Sequence, residues 1–284
     1  MCDFITIFGR QNYSTTMKTS SLFLLGFSIL MLTTQAQHRS INFEHGTFKE
    51  IKEKALKENK LIFIDAYTTW CGPCKYLSKY IFTNDTVADY YNTNFINTKF
   101  DMEKGEGIDM AKLYQVSCYP TLLFIDGNGK LVHRTAGSMP VSMLVALGKT
   151  AKEPEKNFSY FKTNYETKKT DPAFLMQYID MISGTCMEPD AEVAYYFSTQ
   201  KEADLSNEQN WNMIDRYTKH IDAREFKYLI ANKAKFESLY TSEKVTHKIA
   251  TTAKTSLQEA AGTTPFNKAA YDETTVKLNI AAAI

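Results

Sequence analysis

Residues 61–74 of this chain read LIFIDAYTTWCGPC, an apolar run that leads directly into two closely spaced cysteines. The run at 61–67 is nearly all apolar, as expected of a strand covered on both faces. Cys71 and Cys74 follow at a strand-to-helix junction, where they can close a small disulfide ring. The N–H groups and positive dipole end of a helix at that point stabilise a thiolate on Cys71. The stretch therefore predicts a redox-active dithiol with Cys71 as the attacking group.

Two other interpretations of the cysteine pair are weaker. A zinc site needs four ligands, and the sequence has no second Cys-x-x-Cys and no pair of histidines at ligand spacing. A purely structural disulfide across so short a ring would remove little entropy from the unfolded chain. We therefore expect neither a metal nor an organic cofactor.

The residues around the pair resemble the thioredoxin family. Asp65 stands where thioredoxins carry a buried Asp behind the second cysteine, and Lys99 stands where the family has a Lys that pairs with it. Residues 119–124 (YPTLLF) resemble the family's cis-proline strand, with Pro120 as the cis residue. The resemblance implies the thioredoxin fold and thiol–disulfide exchange with protein substrates.

The likeness continues in the turn DGNGK at 126–130 and in Gly137, and it covers about residues 40–150. Within the family, residues 65–71 (DAYTTWC) and 75–83 (KYLSKYIFT) most resemble the periplasmic C-terminal domain of the DsbD-type transmembrane reductant conductor.

Each residue at the predicted centre has an expected role. Cys71 attacks a substrate disulfide, and Cys74 then resolves the mixed disulfide. Asp65 is the candidate base for the buried Cys74 thiol, because burial raises the pKa of a carboxyl group toward neutrality. Lys99 would oppose that rise. The alternative for Asp65 is a structural carboxylate that caps neighbouring backbone.

Substrate-binding residues are predicted beside the dithiol. The resemblance implies a cis Pro120, which leaves the N–H and C=O of Tyr119 to bind an extended segment. Trp70 is either a flat cover over the site or a core residue. Gly72 and Pro73 limit the conformations of the loop, and a Gly-Pro interior goes with reducing behaviour in this family.

Two further cysteines are predicted to be structural. Cys118 is expected to be a small packed residue, with a third redox-sensitive thiol as the alternative. Cys186 has no evident partner in the sequence. The five histidines form no ligand or triad spacing.

The N-terminal region predicts export. Residues 17–36 have a basic start, an apolar stretch and small or polar residues before a cut after Ala36, as in a secretory signal peptide. Residues 1–16 precede the expected natural start at Met17. The apolar stretch of 11 residues is shorter than the roughly 20 needed to span a bilayer, so no stable anchor is expected after cleavage. We expect a periplasmic or otherwise extracytoplasmic protein, in a compartment where disulfides form.

The net charge of the chain gives no reason to expect that it binds nucleic acid. The net charge is +1, from 33 basic and 32 acidic residues, so no strong attraction to nucleic acid or to an anionic membrane follows. The expected partners are proteins with disulfides, and a membrane electron donor or other redox partner.

The pattern along the chain predicts two regions. Residues 37–152 alternate helices with strands, which predicts the α/β thioredoxin fold with a mixed central sheet. After the boundary at 153–155 no convincing strand follows, and residues 153–284 predict an all-α region, similar to helical hairpins. The helices expected there are 173–182, 190–197, one from 207, 222–239, 242–260 and 264–279.

The leading hypothesis is an exported thiol–disulfide oxidoreductase acting as a reductase. A disulfide isomerase or oxidase is the alternative within the same chemistry. A scaffold or chaperone, whose helical region binds a partner, is the alternative from another class.

Overall fold

The computed structural model describes residues 39–262, 268–269 and 272–276. The predicted signal peptide at 17–36 and most of the predicted helix at 264–279 lie outside these residues. The elements run in the order α1 Phe48–Glu58, β1 Leu61–Tyr67, α2 Gly72–Tyr76, a π-helical turn Leu77–Ile81, α3 Asp85–Asn94, β2 Phe95–Asp101, α4 Glu106–Leu113, β3 Thr121–Ile125, β4 Leu131–Ala136, α5 Val141–Lys152, α6 Phe158–Lys168, α7 Pro172–Ser183, α8 Asp190–Thr199, a 3₁₀ turn Glu202–Asp204, α9 Glu208–Tyr217, α10 Arg224–Ala231, α11 Lys233–Tyr240 and α12 Ser242–Ala261.

The four strands form one mixed sheet in the order β2-β1-β3-β4. β1 is parallel to β2 and antiparallel to β3, and β3 is antiparallel to β4. Helices cover the sheet, and the elements described after α5 are helical. The predicted α/β fold followed by an all-α region is therefore confirmed.

Strand β1 lies inside the sheet and is buried on both faces, as its apolar run predicts. Ile62 and Ile64 belong to a core cluster with residues of α1 and α4. Phe63 belongs to the cluster on the other face, together with Leu77 of the π-helical turn and residues of α3 and α5. Because successive side chains of a strand alternate between faces, Asp65 lies on the same face as Phe63. This places a carboxyl group on the side of the sheet where the helix that begins at the cysteine pair packs.

The helical region has its own apolar core and a second one against the sheet. Helices α7 to α12 contribute the first core, which includes Leu175, Ile179, Tyr196, Trp211, Ile214, Phe226, Phe236 and Val245. Helices α6 and α7 contribute the second, which consists of Phe158, Phe161, Phe174, Tyr178 and Ile182, with Leu131 of β4 packed against it. Among the described residues no helix has the length and apolar character needed to cross a membrane.

Two details of the helical region differ from the sequence prediction. Helix α6 was not predicted, because its buried side chains are the aromatic Phe158 and Phe161 in an otherwise polar stretch. The single helix predicted over 222–239 is interrupted at Asn232, which leaves helical geometry with φ −117° and ψ 26°. Its side-chain amide donates to the C=O of Tyr228 at 3.0 Å, so the amide satisfies a carbonyl near the end of α10.

A buried histidine joins β4 to α6. His133 is 4% exposed, and its Nδ1 accepts the N–H of Phe158 at 3.1 Å. Phe158 is the first residue of α6, so this bond satisfies an N–H that has no acceptor within the helix. Burial lowers the pKa of His133 from 6.5 to about 4, because the charged imidazolium loses its hydration.

Replacing His133 should remove one source of acid sensitivity. The folded protein disfavours the charged imidazole, so its contribution to stability is complete above pH 6.5 and is lost as the pH falls toward 4. The shift corresponds to about 3 kcal/mol. We expect the stability of the parent relative to His133→Gln to fall by about that amount between roughly pH 7 and pH 4, measured by urea unfolding. His45 is exposed, and His45→Gln is the control that should track the parent. A difference between parent and His133→Gln that stays constant across this pH range would contradict the interpretation.

Candidate active site

The cysteine pair lies at the start of α2, as predicted. Cys71 is the residue that caps this helix, and its Sγ accepts the N–H of Cys74 at 3.1 Å. The two cysteines form a disulfide with a Cα–Cα distance of 5.3 Å. Both are buried, at 2% and 3% exposure, whereas Gly72 and Pro73 between them are exposed. The N–H that reaches Cys71 Sγ is a ready donor to the thiolate that forms on reduction.

Asp65 is buried without a hydrogen-bond partner. The residue is 1% exposed, and neither carboxylate oxygen is hydrogen-bonded within the described part of the chain. The alternative in which Asp65 caps neighbouring backbone is therefore wrong. Burial raises the pKa of this carboxyl from 3.8 to about 7, while the charge of Lys99 opposes the rise. Such a group takes up or releases a proton near neutral pH.

Lys99 does not form the predicted pair with Asp65. The two residues are register partners on β2 and β1, but the Lys99 side chain is exposed. Its Nζ lies 5.4 Å from the ring centre of Phe43 and 5.9 Å from that of Tyr67. The ammonium gains cation–π contacts and hydration in this position, both of which a buried pair would forgo. Lys99 therefore acts on Asp65 only through the electrostatic field.

Trp70 covers the site edge and is not a core residue. Trp70 is 64% exposed, so the alternative in which it is a core residue is excluded. The indole Nε1–H donates to both carboxylate oxygens of Glu103, at 3.0 Å each. The ring also meets Tyr119 edge to face, with 5.9 Å between centroids. Glu103 was not predicted, because it lies in the turn after β2 and nothing in its neighbourhood in the sequence connects it with Trp70.

The loop before β3 presents backbone beside the site. The Tyr119–Pro120 peptide bond is cis, and the Pro120 C=O accepts the N–H of Gly137 at 2.8 Å. Within residues 39–262 the N–H and C=O of Tyr119 form no hydrogen bond. They are available to an extended segment laid alongside, in the way a strand adds to a sheet edge.

The prediction of a partnerless Cys186 is wrong. Cys186 forms a disulfide with Cys118, with a Cα–Cα distance of 6.3 Å. Cys118 precedes Tyr119, and Cys186 lies in the loop between α7 and α8. The two are 68 residues apart and belong to different predicted regions, so only the folded arrangement brings them together. The interpretation of Cys118 as a packed free thiol is also wrong, because its sulfur is bonded to that of Cys186.

Comparison with known proteins gives the class of the domain. Residues 48–152 match the family model of a thioredoxin-like domain. Thioredoxin-1 of Saccharomyces cerevisiae is 35% identical over 102 residues, which are 35% of this chain and 89% of that protein. Thioredoxin Y of the Oryza sativa chloroplast is 33% identical over 110 residues, or 39% of this chain and 62% of that protein.

A solved structure is also similar. A Bacteroides thetaiotaomicron protein, assigned provisionally as a disulphide-isomerase, is 47% identical over 41% of this chain and 97% of that chain, with a TM-score of 0.39.

The chain belongs to the thioredoxin family. Its thioredoxin-like domain carries the closely spaced cysteine pair of the thiol–disulfide oxidoreductases in that family. The family model matches residues 48–152, and the helices from α6 onward lie outside that match.

The burial of Asp65 predicts a pH-dependent cost in stability. Because its pKa is raised from 3.8 to about 7, the folded protein holds a proton in this range that the unfolded chain releases. The contribution of protonated Asp65 to the free energy of unfolding is therefore fully present below about pH 4, and it is lost as the pH rises through 7. The full shift corresponds to about 4 kcal/mol.

We expect Asp65→Asn to be more stable than the parent by up to about 4 kcal/mol at about pH 8, with the gain vanishing near pH 4. Urea unfolding of both oxidised proteins across this range measures it. A gain of equal size at every pH would show that Asp65 is not buried as a titrating carboxyl.

Proposed function

We propose that this protein is an exported thiol–disulfide oxidoreductase that reduces disulfides in other proteins. The observation that supports it most directly is the Cys71–Cys74 pair at the start of α2. Asp65, which is buried and has no hydrogen-bond partner within residues 39–262, lies on the face of the sheet where that helix packs. A structural disulfide has no use for such a carboxyl, which lowers stability at neutral pH. A resolving thiol does need such a carboxyl as a base, because the thiol must lose a proton before it attacks.

The first step joins the protein to its client. With the pair reduced, the Cys71 thiolate attacks one sulfur of the client disulfide and forms a mixed disulfide, while the other client sulfur leaves as a thiolate. The N–H of Cys74, which reaches Cys71 Sγ at 3.1 Å, stabilises the charge before the attack. The client segment binds to the free backbone groups of Tyr119 beside Trp70.

The second step releases the client. Cys74 loses its proton to the Asp65 carboxylate and attacks Cys71 Sγ, which regenerates the Cys71–Cys74 disulfide and frees the second client thiol. Two electrons pass from the protein dithiol to the client in total. A carboxyl with a pKa of about 7 accepts and returns the proton at neutral pH with little driving force either way.

The direction and location of the reaction rest on the sequence. The Gly72-Pro73 interior is that of reducing thioredoxins, and residues 17–36 have the pattern of a secretory signal peptide. An exported reductase must be supplied with electrons, so a membrane electron donor or another redox protein is the expected partner. The DsbD-like pattern at 65–71 and 75–83 is consistent with such a supply route.

Replacing Asp65 should slow the second step and spare the first. Insulin serves as the protein disulfide. We expect the Asp65→Asn variant to form the mixed disulfide at the parental rate and to resolve it about a hundredfold more slowly at neutral pH, because a general base is lost. Rapid alkylation of reduced Cys71 checks that its reactivity is unchanged. Quenched-flow trapping followed by mass spectrometry measures formation and resolution separately.

Two further variants serve as controls for the Asp65→Asn experiment. Cys74→Ala accumulates the mixed disulfide and sets the limit of no resolution, while Asp109→Asn, at an exposed carboxylate on α4, should behave as the parent. Resolution by Asp65→Asn at the parental rate would remove Asp65 from the mechanism. A Cys71→Ser protein that retains full function in cells would favour the scaffold alternative.

A further inference from the structure

The second disulfide lies next to the client-binding backbone. Cys118 directly precedes Tyr119, and its Cα is 6.3 Å from that of Cys186. Since consecutive Cα atoms are about 3.8 Å apart, the Tyr119 Cα lies within about 10 Å of Cys186. The loop between α7 and α8 thus flanks the segment that carries the cis proline.

One ring contact between two chain segments connects this disulfide with the reactive pair. The Tyr119 ring, which follows Cys118 in the chain, meets the Trp70 ring at 5.9 Å. Trp70 in turn directly precedes Cys71. A shift of the loop at 118–120 therefore displaces the aromatic cover of the site as well as the backbone groups that bind a client.

Attack by an external thiolate is favoured at Cys186, the more exposed residue of the pair. Cys186 is exposed, whereas Cys118 is half-buried. Cys186 also has φ +57°, a left-handed conformation that is unfavourable for a residue with a side chain. Cleavage of the disulfide lets this residue leave that conformation, which favours opening.

Within residues 39–262, hydrogen bonds also join the α7–α8 loop to β4 and to the cis-proline loop. The Gly184 C=O accepts from the N–H of Ala136 at 2.8 Å and from Thr135 Oγ1 at 3.0 Å. Ser117 Oγ reaches the Cys186 C=O only at 3.5 Å. Met187 of the same loop packs against the apolar cluster of α6, α7 and Leu131 of β4, and this cluster includes no cysteine. Opening of the disulfide should therefore release the cis-proline loop from Cys186 and leave the helical region attached.

We propose that Cys118–Cys186 is a second redox site, reducible by a dithiol, whose oxidised form holds the client-binding loop in its binding position. One thiolate of the dithiol attacks Cys186 Sγ, the S–S bond breaks and Cys118 leaves as a thiolate. The second thiol of the reductant then displaces Cys186. Two electrons and two protons reach the protein, and the reductant becomes a disulfide. The reduced form binds clients more weakly because Tyr119 and Trp70 lose their fixed placement.

Reducibility is tested without relying on the proposed function. In the full chain with Cys71→Ala and Cys74→Ala, dithiothreitol in graded ratios of its reduced to its oxidised form is the probe, and differential alkylation with peptide mass spectrometry quantifies free Cys118 and Cys186. We expect both thiols to appear while circular dichroism remains that of the folded protein. Reduction that begins only together with unfolding would identify a structural disulfide and overturn the proposal.

The effect on clients rests on the proposed function and is measured separately. With insulin as substrate, Cys118→Ala/Cys186→Ala and Cys118→Ser/Cys186→Ser should raise KM about fivefold or more while kcat changes by less than about twofold. Two replacements of different polarity separate loss of the bond from a packing defect at either site. Unchanged KM in a folded variant would overturn the coupling. If the parent itself fails to reduce insulin, the proposed function fails, whereas the alkylation result for the second disulfide still stands.

Discussion

The constraint on which the proposed site depends is a carboxyl group that is buried and has no hydrogen-bond partner among the described residues. Asp65 lies on an interior strand, and its burial opposes the charge that it would carry at neutral pH. The apolar sequence of β1 fixes this position, because the strand must be covered on both faces. The same strand leads into the cap of α2, so the carboxyl and the cysteine pair belong to one short continuous segment. The cost in stability therefore falls at the residue to which the proposed mechanism assigns the proton transfer.

The helical region is attached to β4, one of the two edge strands of the sheet in the order β2-β1-β3-β4. The α7–α8 loop supplies an acceptor to the N–H of Ala136 in this strand. An apolar cluster, the imidazole of His133 and the Cys118–Cys186 disulfide connect the same two parts. An exposed edge invites pairing with other chains, so covering it protects the sheet. The same attachment brings the helical region beside the cis-proline loop, and these helices lie outside the part of the chain that matches the thioredoxin-like domain.

Much of the fold and the reactive centre could be predicted from local sequence. The apolar run of β1, the closely spaced pair Cys71 and Cys74 and the turn residues each indicate their structure within a few positions. Asp65 was identified by its resemblance to the buried Asp of thioredoxins. The interactions that could not be predicted from the sequence join segments that are distant in the chain. Glu103 meets Trp70 across the turn after β2, and Cys118 meets Cys186 across 68 residues. Lys99 was placed correctly in the strand, but only the structure shows that its side chain turns to aromatic rings and away from the carboxyl.

The reduction potential of the Cys71/Cys74 couple tests the central claim most directly. The purified protein is equilibrated in defined dithiothreitol or glutathione buffers, and peptide mass spectrometry after alkylation reads this pair apart from the other cysteines. A reductase predicts a value near the roughly −270 mV of thioredoxin. A value between roughly −180 and −120 mV, as in isomerases and oxidants, would contradict the account and make the protein a donor or shuffler of disulfides.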